Sequence, residues 1–139
     1  MCADQGCMTA REACAYSPLA LAFLGDSVYE RLVREEILRS ANRPVAQLHA
    51  RAVAHVCAEY QSAAYDVVLP RLTDTELAVL KRGRNATGNT VPKHADVVTY
   101  RRATALECLF GFLALCGQEA RIAQLFQWIW TETKLTEKE

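Results

Sequence analysis

Residues that interrupt secondary structure are scarce in this chain, which has only six glycines and four prolines among 139 residues. This scarcity leaves little room for the many turns of a β-sandwich or barrel, and it favours an all-α fold. Hydrophobic residues make up 51% of the sequence and charged residues 23%, as in folded proteins and unlike disordered chains. A chain of this length is typical of one domain, so we predict a single helical bundle.

Helical periodicity begins at Pro18, after which Leu21 and Leu24 start a series of apolar residues at spacings of three and four. Ser17 is a suitable N-cap, because its hydroxyl can accept a hydrogen bond from the first turn, and proline is tolerated at the first helical position. Residues 1–16 show no clear period. We therefore predict a loose N-terminal arm over residues 1–17, a folded domain over residues 18–133 and a tail over residues 134–139.

The later helices are predicted from the same periodicity and from their end signals. One amphipathic helix starts near residue 45, and another runs from about residue 58 until Pro70. Thr73 and Glu76 have the T-x-x-E form of a capping box and open the next helix. From Asp96 a long helix becomes apolar on nearly all sides and is predicted to lie buried at the centre of the domain. Gly117 ends it, and a last amphipathic helix follows.

Neither membrane insertion nor secretion is indicated by the sequence. No apolar stretch approaches the roughly 20 residues of a membrane span, because charged residues interrupt each one. The N-terminal segment lacks the basic region and the continuous apolar region of a secretory signal. We therefore predict a cytoplasmic location and no membrane partner.

The basic residues are concentrated in one part of the chain. Sixteen basic and sixteen acidic residues give a net charge of zero. Residues 81–102 nevertheless contain six basic residues and one acid, a local charge of +5, and include a polar, aperiodic stretch over 84–93 that is predicted as a surface loop. Such a segment favours docking of a polyanion. A basic face with no binding role is the alternative that the charge alone leaves open.

Two carboxylates occur within otherwise apolar helical segments. Asp26 lies in the first long helix and Glu107 in the most apolar one. A charge in such a position is costly unless it is paired or bound to a metal, and carboxylate oxygens suit Mg²⁺ or Mn²⁺. Gly25 permits another helix to approach Asp26 closely. The two acids can therefore form a metal site, or each can pair with an arginine such as Arg101 or Arg102.

Three sequence blocks resemble a known enzyme family. Phe23-Leu-Gly-Asp-Ser-Val28 resembles the F-L-G-D-[SA]-V signature of ribonuclease III, and Leu106-Glu-Cys-Leu-Phe-Gly111 is similar to the F-E-A-L-I-G helix of that family. Lys81-Arg-Gly-Arg-Asn85, followed by Thr90-Val-Pro-Lys93 and Asp96-Val-Val-Thr-Tyr100, resembles the Mini-ribonuclease III subgroup. That subgroup consists of the catalytic domain without a double-stranded-RNA-binding domain. The resemblance covers residues 19–130, nearly all of the predicted folded part.

The resemblance implies the all-α fold of the ribonuclease III catalytic domain, placed over residues 18–133. It also implies an endoribonuclease that hydrolyses double-stranded RNA and leaves 5′-phosphate ends. Asp26 and Glu107 match two family acids and are assigned as catalytic residues and as metal ligands. The implied cofactor is Mg²⁺, for which Mn²⁺ can substitute.

The acidic set of this chain is smaller than the usual one of the family. Full-length ribonuclease III enzymes typically have two more acids, at the positions where this chain has Ala22 and Thr104. The Mini-ribonuclease III subgroup also lacks these acids, so the number of metal ions per site is left open. Glu30 and Asp96 are candidates for supporting groups around the metal ligands. Solvated surface acids are the alternative for both.

The resemblance also implies the partners. The substrate class is double-stranded RNA, by similarity precursor large-subunit (23S) ribosomal RNA, and a ribosomal protein is a candidate helper. Because each domain carries one site, a two-fold homodimer would cut both strands and leave a short 3′ overhang. Phe23 corresponds to the aromatic residue at the dimer interface of the family, although a core position is the alternative. The residues expected to contact RNA are Lys81, Arg82, Arg84, Asn85, Thr90 and Lys93.

Two competing functions remain at this stage. One is a catalytically degenerate ribonuclease III-like domain that binds structured RNA or a ribosomal particle without cutting. The missing acids favour it, whereas the presence of both Asp26 and Glu107 argues against it. The other is a helical dimer or adaptor without an RNA role, which the +5 segment disfavours.

Overall fold

The computed structural model describes residues 6–86, 91 and 93–134, and the secondary structure within these residues is helical. The described residues form seven α-helices and a 3₁₀ turn, Leu69–Arg71, after the fourth helix. The predicted all-α fold is thereby confirmed. The helices are α1 (Ala10–Cys14), α2 (Pro18–Ser40), α3 (Val45–Val56), α4 (Ala58–Val68), α5 (Asp74–Asn85), α6 (Val97–Leu115) and α7 (Glu119–Glu132).

Helix α6 forms the centre of the domain, as its apolar composition predicts. It packs against α1, α2, α4, α5 and α7, and its closest partner is α2. Ala105, Leu106, Cys108 and Leu109, which point to different sides of the helix, are completely shielded from solvent. A helix that is surrounded on all sides needs apolar residues on all its faces. Among the described residues, no helix combines the length and the hydropathy that crossing a bilayer requires.

Helices α2 and α6 approach each other at backbone distance. A Cβ atom added to Gly25 of α2 would lie 1.7 Å from the carbonyl oxygen of Glu107 in α6. A Cβ added to Gly111 of α6 would lie 1.9 Å from the carbonyl oxygen of Leu21. Both glycines therefore have to remain without side chains for the helices to touch. The close approach predicted at Gly25 is observed, and it fixes how Asp26 faces α6.

The helix ends follow the signals in the sequence. The Ser17 hydroxyl accepts a hydrogen bond from the backbone N–H of Ala20 at the start of α2. Thr73 and Glu76 form the reciprocal bonds of a capping box at the start of α5. These caps pair backbone amides that have no partner within the helix, and each is worth about 1 kcal/mol. Local sequence therefore sets these boundaries.

The end of α6 is a Schellman motif built on Gly117. Gly117 has a φ of +68°, in the left-handed region that favours glycine. Its N–H donates to the carbonyl of Ala114, and the N–H of Gln118 donates to the carbonyl of Leu113. The motif satisfies the last carbonyls of α6 and turns the chain into α7, so Gly117 ends the helix as predicted.

Two expectations need correction. The loose arm expected over residues 1–17 contains helix α1, which begins with a Thr9–Glu12 capping box. Ala13 of α1 is fully buried, and the N–H of Met8 donates to the carbonyl of Leu115, so this segment is docked on the end of α6. The surface loop expected from residue 84 starts later, because α5 continues to Asn85. The tail residues 135–139 lie outside the described residues.

Candidate active site

The crossing of α2 and α6 brings two carboxylates together. Asp26 directly follows Gly25 in α2, and Glu107 is the residue of α6 whose backbone Gly25 touches. Their carboxyl groups are close enough to repel each other electrostatically and to share a hydrogen bond. Asp26 is exposed, whereas Glu107 is partly buried between the helices. The pair is therefore open to solvent on the side of Asp26.

The environment of Glu107 opposes its ionisation. Burial is the main cause and the negative charge of Asp26 is the second, and together they raise the pKa of Glu107 to about 7. Asp26 also accepts a hydrogen bond from the protonated form of Glu107. A hydrogen bond from Gln61 acts in the opposite direction, because it stabilises the ionised carboxylate. A nearby cation would remove the repulsion that the two acids exert on each other.

No arginine supplies that cation within the part of the chain that the structure describes. Arg102 forms its ion pair with Asp66, at 3.2 Å, and its guanidinium carbon lies 5.2 Å from the centre of the Tyr65 ring. Neither Asp26 nor Glu107 forms an ion pair among the described residues. The alternative in which each acid pairs with its own arginine therefore has no support from the geometry.

The residues at this site fit a small hard cation. Two carboxylates offer oxygen ligands, and Mg²⁺ commonly keeps several water molecules while binding one or two carboxylates. The exposure of Asp26 leaves space for such water. Among the described residues, no group of three or more His, Cys, Asp or Glu side chains is placed to hold a metal ion. The site thus suits a partly hydrated ion more than a closed, all-protein metal cage.

The two candidate supporting acids do not join the carboxylate pair. Glu30 accepts a hydrogen bond of 2.9 Å from Arg34 on the outside of α2. Asp96 caps the start of α6 and accepts hydrogen bonds from the backbone and the hydroxyl of Thr99, which hold the pKa of Asp96 below its usual value. Asp96 precedes Glu107 by eleven residues, about 16 Å along the helix axis. Its capping role explains this acid without a contribution to the site.

The basic residues assigned to RNA lie in two different environments. Lys81, Asn85 and Lys93 are exposed at the end of α5 and in the segment after it. Arg82 instead donates hydrogen bonds to the carbonyl oxygens of Cys14 and Tyr16, at 3.2 and 3.4 Å, and so ties α5 to the end of α1.

Arg84 and Thr90 are the remaining two assigned residues. Arg84 is partly buried and donates a hydrogen bond of 3.4 Å to the Tyr65 hydroxyl. Thr90 lies outside the described residues. Neither Arg82 nor Arg84 forms an ion pair with an acid of α7 among the described residues.

Phe23 lies on the surface. Its side chain is 84% exposed, and Leu19, one turn earlier in α2, is 45% exposed. The core position considered for Phe23 is therefore wrong. Leu19, Phe23 and Asp26 follow one another at helical spacing along the same side of α2, so an exposed apolar surface leads directly to the carboxylate pair.

The sequence analysis missed Gln61. This residue of α4 is only 2% exposed and contacts Glu107 through its side chain. A signal was present, because Gln61 occupies the same face of α4 as Ala64, Tyr65 and Val68, all of which are buried. A lone amide within an apolar stripe indicates a buried polar contact, although the sequence does not reveal the partner.

Comparison with known proteins decides the family. Residues 19–118 match the family model described as the ribonuclease III domain. The matched range includes Asp26, Glu107, all of α2 except Pro18, and α3 to α6. The chain belongs to the ribonuclease III family. Its curated relatives place it with Mini-ribonuclease III, and its catalytic domain is that of an endoribonuclease.

Curated relatives agree over most of their length. The Mini-ribonuclease 3 of Brevibacillus brevis is 43% identical over 111 residues, which cover 80% of this chain and 83% of the relative. The Mini-ribonuclease 3 of Desulfitobacterium hafniense is 44% identical over 109 residues, covering 78% of this chain and 69% of the relative. A crystal structure of a protein from Fusobacterium nucleatum superposes with a TM-score of 0.76 at 32% identity, covering 84% of this chain and 94% of that one.

Proposed function

We propose that this ribonuclease III family member cleaves double-stranded RNA by metal-assisted hydrolysis at the site of Asp26 and Glu107. The observation that carries the proposal is the contact between these two carboxylates across the α2–α6 crossing. They have no basic partner among the described residues, and their mutual repulsion makes the site favourable for a cation. A structural ion pair would have left these acids neutralised by protein groups.

Asp26 and Glu107 would hold Mg²⁺, with Mn²⁺ as a substitute. When bound, the ion lowers the pKa of a water molecule and stabilises the negative charge of the leaving oxygen. The exposed carboxylate of Asp26 faces the side from which a phosphodiester can approach, whereas Glu107 is held within the helix interface. Water adds to phosphorus and the bond to the 3′-oxygen breaks, which leaves a 5′-phosphate and a 3′-hydroxyl.

The exposed residues around the end of α5 would hold the RNA backbone. Lys81, Asn85 and Lys93 offer donors at the surface, and the local charge of +5 over residues 81–102 attracts phosphates. A-form RNA is bound mainly through its shape, phosphates and 2′-hydroxyls, so base-specific contacts are not needed. Binding should weaken steeply with salt, because each phosphate contact releases counterions.

A homodimer would complete the cleavage of a duplex. The exposed Phe23 and Leu19 form an apolar surface on α2, and contact with a second copy would remove it from water. Because this surface lies beside Asp26, two-fold pairing would place two sites close together, one for each RNA strand. Replacing Phe23 with Asp should yield a monomer by light scattering with slower cleavage. A wild-type monomer would refute this part of the proposal.

The natural substrate that the family resemblance implies is precursor large-subunit (23S) ribosomal RNA. Processing would take place in the cytoplasm, with a ribosomal protein as the helper that presents the RNA. The substrate, the location and the helper are proposed in addition to the endoribonuclease activity. Accumulation of unprocessed 23S precursor in cells that lack this chain, with mature ends restored by the wild type and not by Asp26→Asn, would support them.

Cleavage of a labelled RNA duplex in Mg²⁺ or in EDTA tests the central proposal. We expect cleavage only with the metal, and the products should carry 5′-phosphate groups that a phosphatase can remove. Asp26→Asn and Glu107→Gln should each reduce the rate by more than the roughly 10–100-fold loss caused by removing a supporting contact. Glu59→Gln changes an exposed acid and serves as the control. Wild-type rates in either site variant would overturn the assignment.

A non-cutting RNA-binding domain is the second candidate. Ala22 and Thr104 stand where two further acids are usual in the family, and this reduced set favours it. The same experiment separates the candidates, because a degenerate domain would shift the duplex in a gel without cutting it. Its binding would also be insensitive to Asp26→Asn.

A further inference from the structure

Gln61 is a polar residue on the buried face of α4, where apolar residues are expected. The inward face of α4 carries Gln61, Ala64, Tyr65 and Val68, at spacings of three and four, and all four are buried. Burying an amide without hydrogen bonds costs several kcal/mol in an apolar medium. Leucine or methionine would fill the same space without this cost. The presence of glutamine therefore calls for a partner that needs an amide.

That partner is the Glu107 carboxylate across the α4–α6 interface. Gln61 is buried where α4 packs against α6, and its side chain lies close enough to the Glu107 carboxyl group to act on it as a hydrogen-bonding partner that favours the ionised carboxylate. An ionised carboxylate only accepts hydrogen bonds, so the Gln61 amide N–H is the donor. Glu107 thus contacts Asp26 on one side and Gln61 on another, and these two contacts limit the rotation of its carboxyl group.

The helix that carries Gln61 is itself held in place one turn further on. Arg84 of α5 donates to the Tyr65 hydroxyl at 3.4 Å, and the Arg102 guanidinium of α6 lies over the Tyr65 ring. Tyr65 therefore connects α4 to both neighbouring helices next to the site. A donor on such a fixed element can orient a carboxylate more accurately than a donor on a loop.

We propose that Gln61 is a positioning residue that holds the Glu107 carboxylate in the orientation in which Glu107 and Asp26 bind one divalent cation. The inference rests on the proposed function. It adds a residue that touches neither RNA nor metal and acts through Glu107. Outer partners of metal ligands typically contribute 10–100-fold to metal affinity or activity, because they fix the ligand before the metal arrives.

Replacement of Gln61 with Met tests the inference, since Met has a similar length and shape but no donor. The control is Glu76→Gln, which breaks the buried ion pair with Arg121 on another side of the domain. Thermal unfolding of each protein is followed against Mg²⁺ concentration without RNA. We expect Gln61→Met to need about tenfold more Mg²⁺ for half of the maximal stabilisation. Glu76→Gln should lose stability and keep the wild-type midpoint.

Kinetics supply a second readout. In Gln61→Met, kcat at a fixed low Mg²⁺ concentration should fall about tenfold with KM for duplex RNA within about twofold, and excess Mg²⁺ should recover most of the loss. Gln61→Asn keeps the amide but is one methylene shorter and should not reach Glu107. It should therefore show the same losses as Gln61→Met. A kcat loss that Mg²⁺ recovers, in both variants, would show that Gln61 orients Glu107. A general loss of core stability would not be recovered by Mg²⁺.

Each result has a defined meaning. An unchanged Mg²⁺ midpoint in folded Gln61→Met overturns the role of Gln61. Failure of both Gln61 variants to fold also overturns it, because Gln61 would then be a structural residue of the core. If wild-type protein shows neither stabilisation nor cleavage with Mg²⁺ or Mn²⁺, the proposed metal site itself is wrong, and this outcome is separate from the first two.

Discussion

Replacing Glu107 with Gln should inactivate the protein and stabilise its metal-free fold at the same time. Burial and the charge of Asp26 raise the pKa of Glu107 from 4.5 to about 7. In the unfolded chain the carboxyl group ionises near its ordinary value, so the unfolded state releases its proton first as the pH rises. The folded state therefore loses stability between about pH 4.5 and pH 7. Gln keeps the shape of the side chain and carries no charge.

The size of this effect follows from the pKa. A rise from 4.5 to about 7 corresponds to about 3 kcal/mol above pH 7, at about 1.4 kcal/mol for each pH unit. Because Glu107 retains some contact with solvent, we expect about half of this, on the order of 1.5 kcal/mol. For a domain of this size, that raises the melting temperature by about 5 °C.

Thermal unfolding in EDTA at pH 4.5 and at pH 8 measures the difference. Glu107→Gln should match the wild type within about 0.5 kcal/mol at the lower pH and exceed it at the higher pH. Adding Mg²⁺ at ten times its Kd should stabilise the wild type by about 1.4 kcal/mol and leave the variant unchanged. The exposed Glu59→Gln is the control and should change stability by less than about 0.5 kcal/mol at either pH.

A Glu107→Gln protein that is less stable than the wild type at pH 8 in EDTA would refute this reasoning. It would mean that the ionised carboxylate contributes favourable contacts to the fold, as a structural acid does. A gain of stability that is equal at pH 4.5 and pH 8 would also count against it, because packing and not charge would then be the cause.

Three further outcomes are expected. Glu76→Gln should cost about 3 kcal/mol near neutral pH, since it leaves Arg121 unpaired. Burial favours the protonated form of Glu76, but hydrogen bonds, led by the one from Arg121, outweigh burial and lower the pKa of Glu76. The difference in unfolding free energy between Glu76→Gln and wild type, measured by urea titration, should therefore shrink below about pH 4. Arg82→Ala should lower the melting temperature, whereas Lys93→Ala should instead reduce the salt dependence of RNA binding, with a log–log slope smaller by about 0.7–0.9. Gly25→Ala should destabilise the fold by about 2 kcal/mol or more, measured by chemical denaturation, because its Cβ would overlap the backbone of α6.

The helices could be predicted from sequence where local chemistry determines them. Ser17 before Pro18, the Thr73–Glu76 capping box and Gly117 act within a few residues of the chain, and each marks the observed helix end. Helix α1 was missed although Thr9 and Glu12 carry the same T-x-x-E signal. Five residues are too few to show a period, and α1 is held mainly by its contact with α6, which no local pattern encodes.

The candidate site was predictable only in part. Asp26 and Glu107 stand out because a carboxylate within an apolar helix demands a partner. The partners of Gln61 and Arg82 cannot be predicted from the sequence, since they depend on which helix packs beside each residue. Arg82 counts toward the +5 segment in the sequence, yet its guanidinium binds the carbonyl oxygens that end α1. Charge density along the chain identifies the basic segment and does not separate its structural members from those exposed to RNA.

The reduced acidic set of this chain is consistent with the geometry around Glu107. A carboxylate in place of Ala22 or Thr104 would bring further negative charge toward a group whose ionisation burial and Asp26 already oppose. With only two acids the metal-free fold carries less repulsion, but the site offers fewer ligands to a cation. Backbone contact at Gly25 fixes the separation of the two helices, and the Gln61 amide fixes the remaining carboxylate without adding charge. In the proposed metal site, orientation of few ligands would thus take over part of the task that additional acids perform elsewhere in the family.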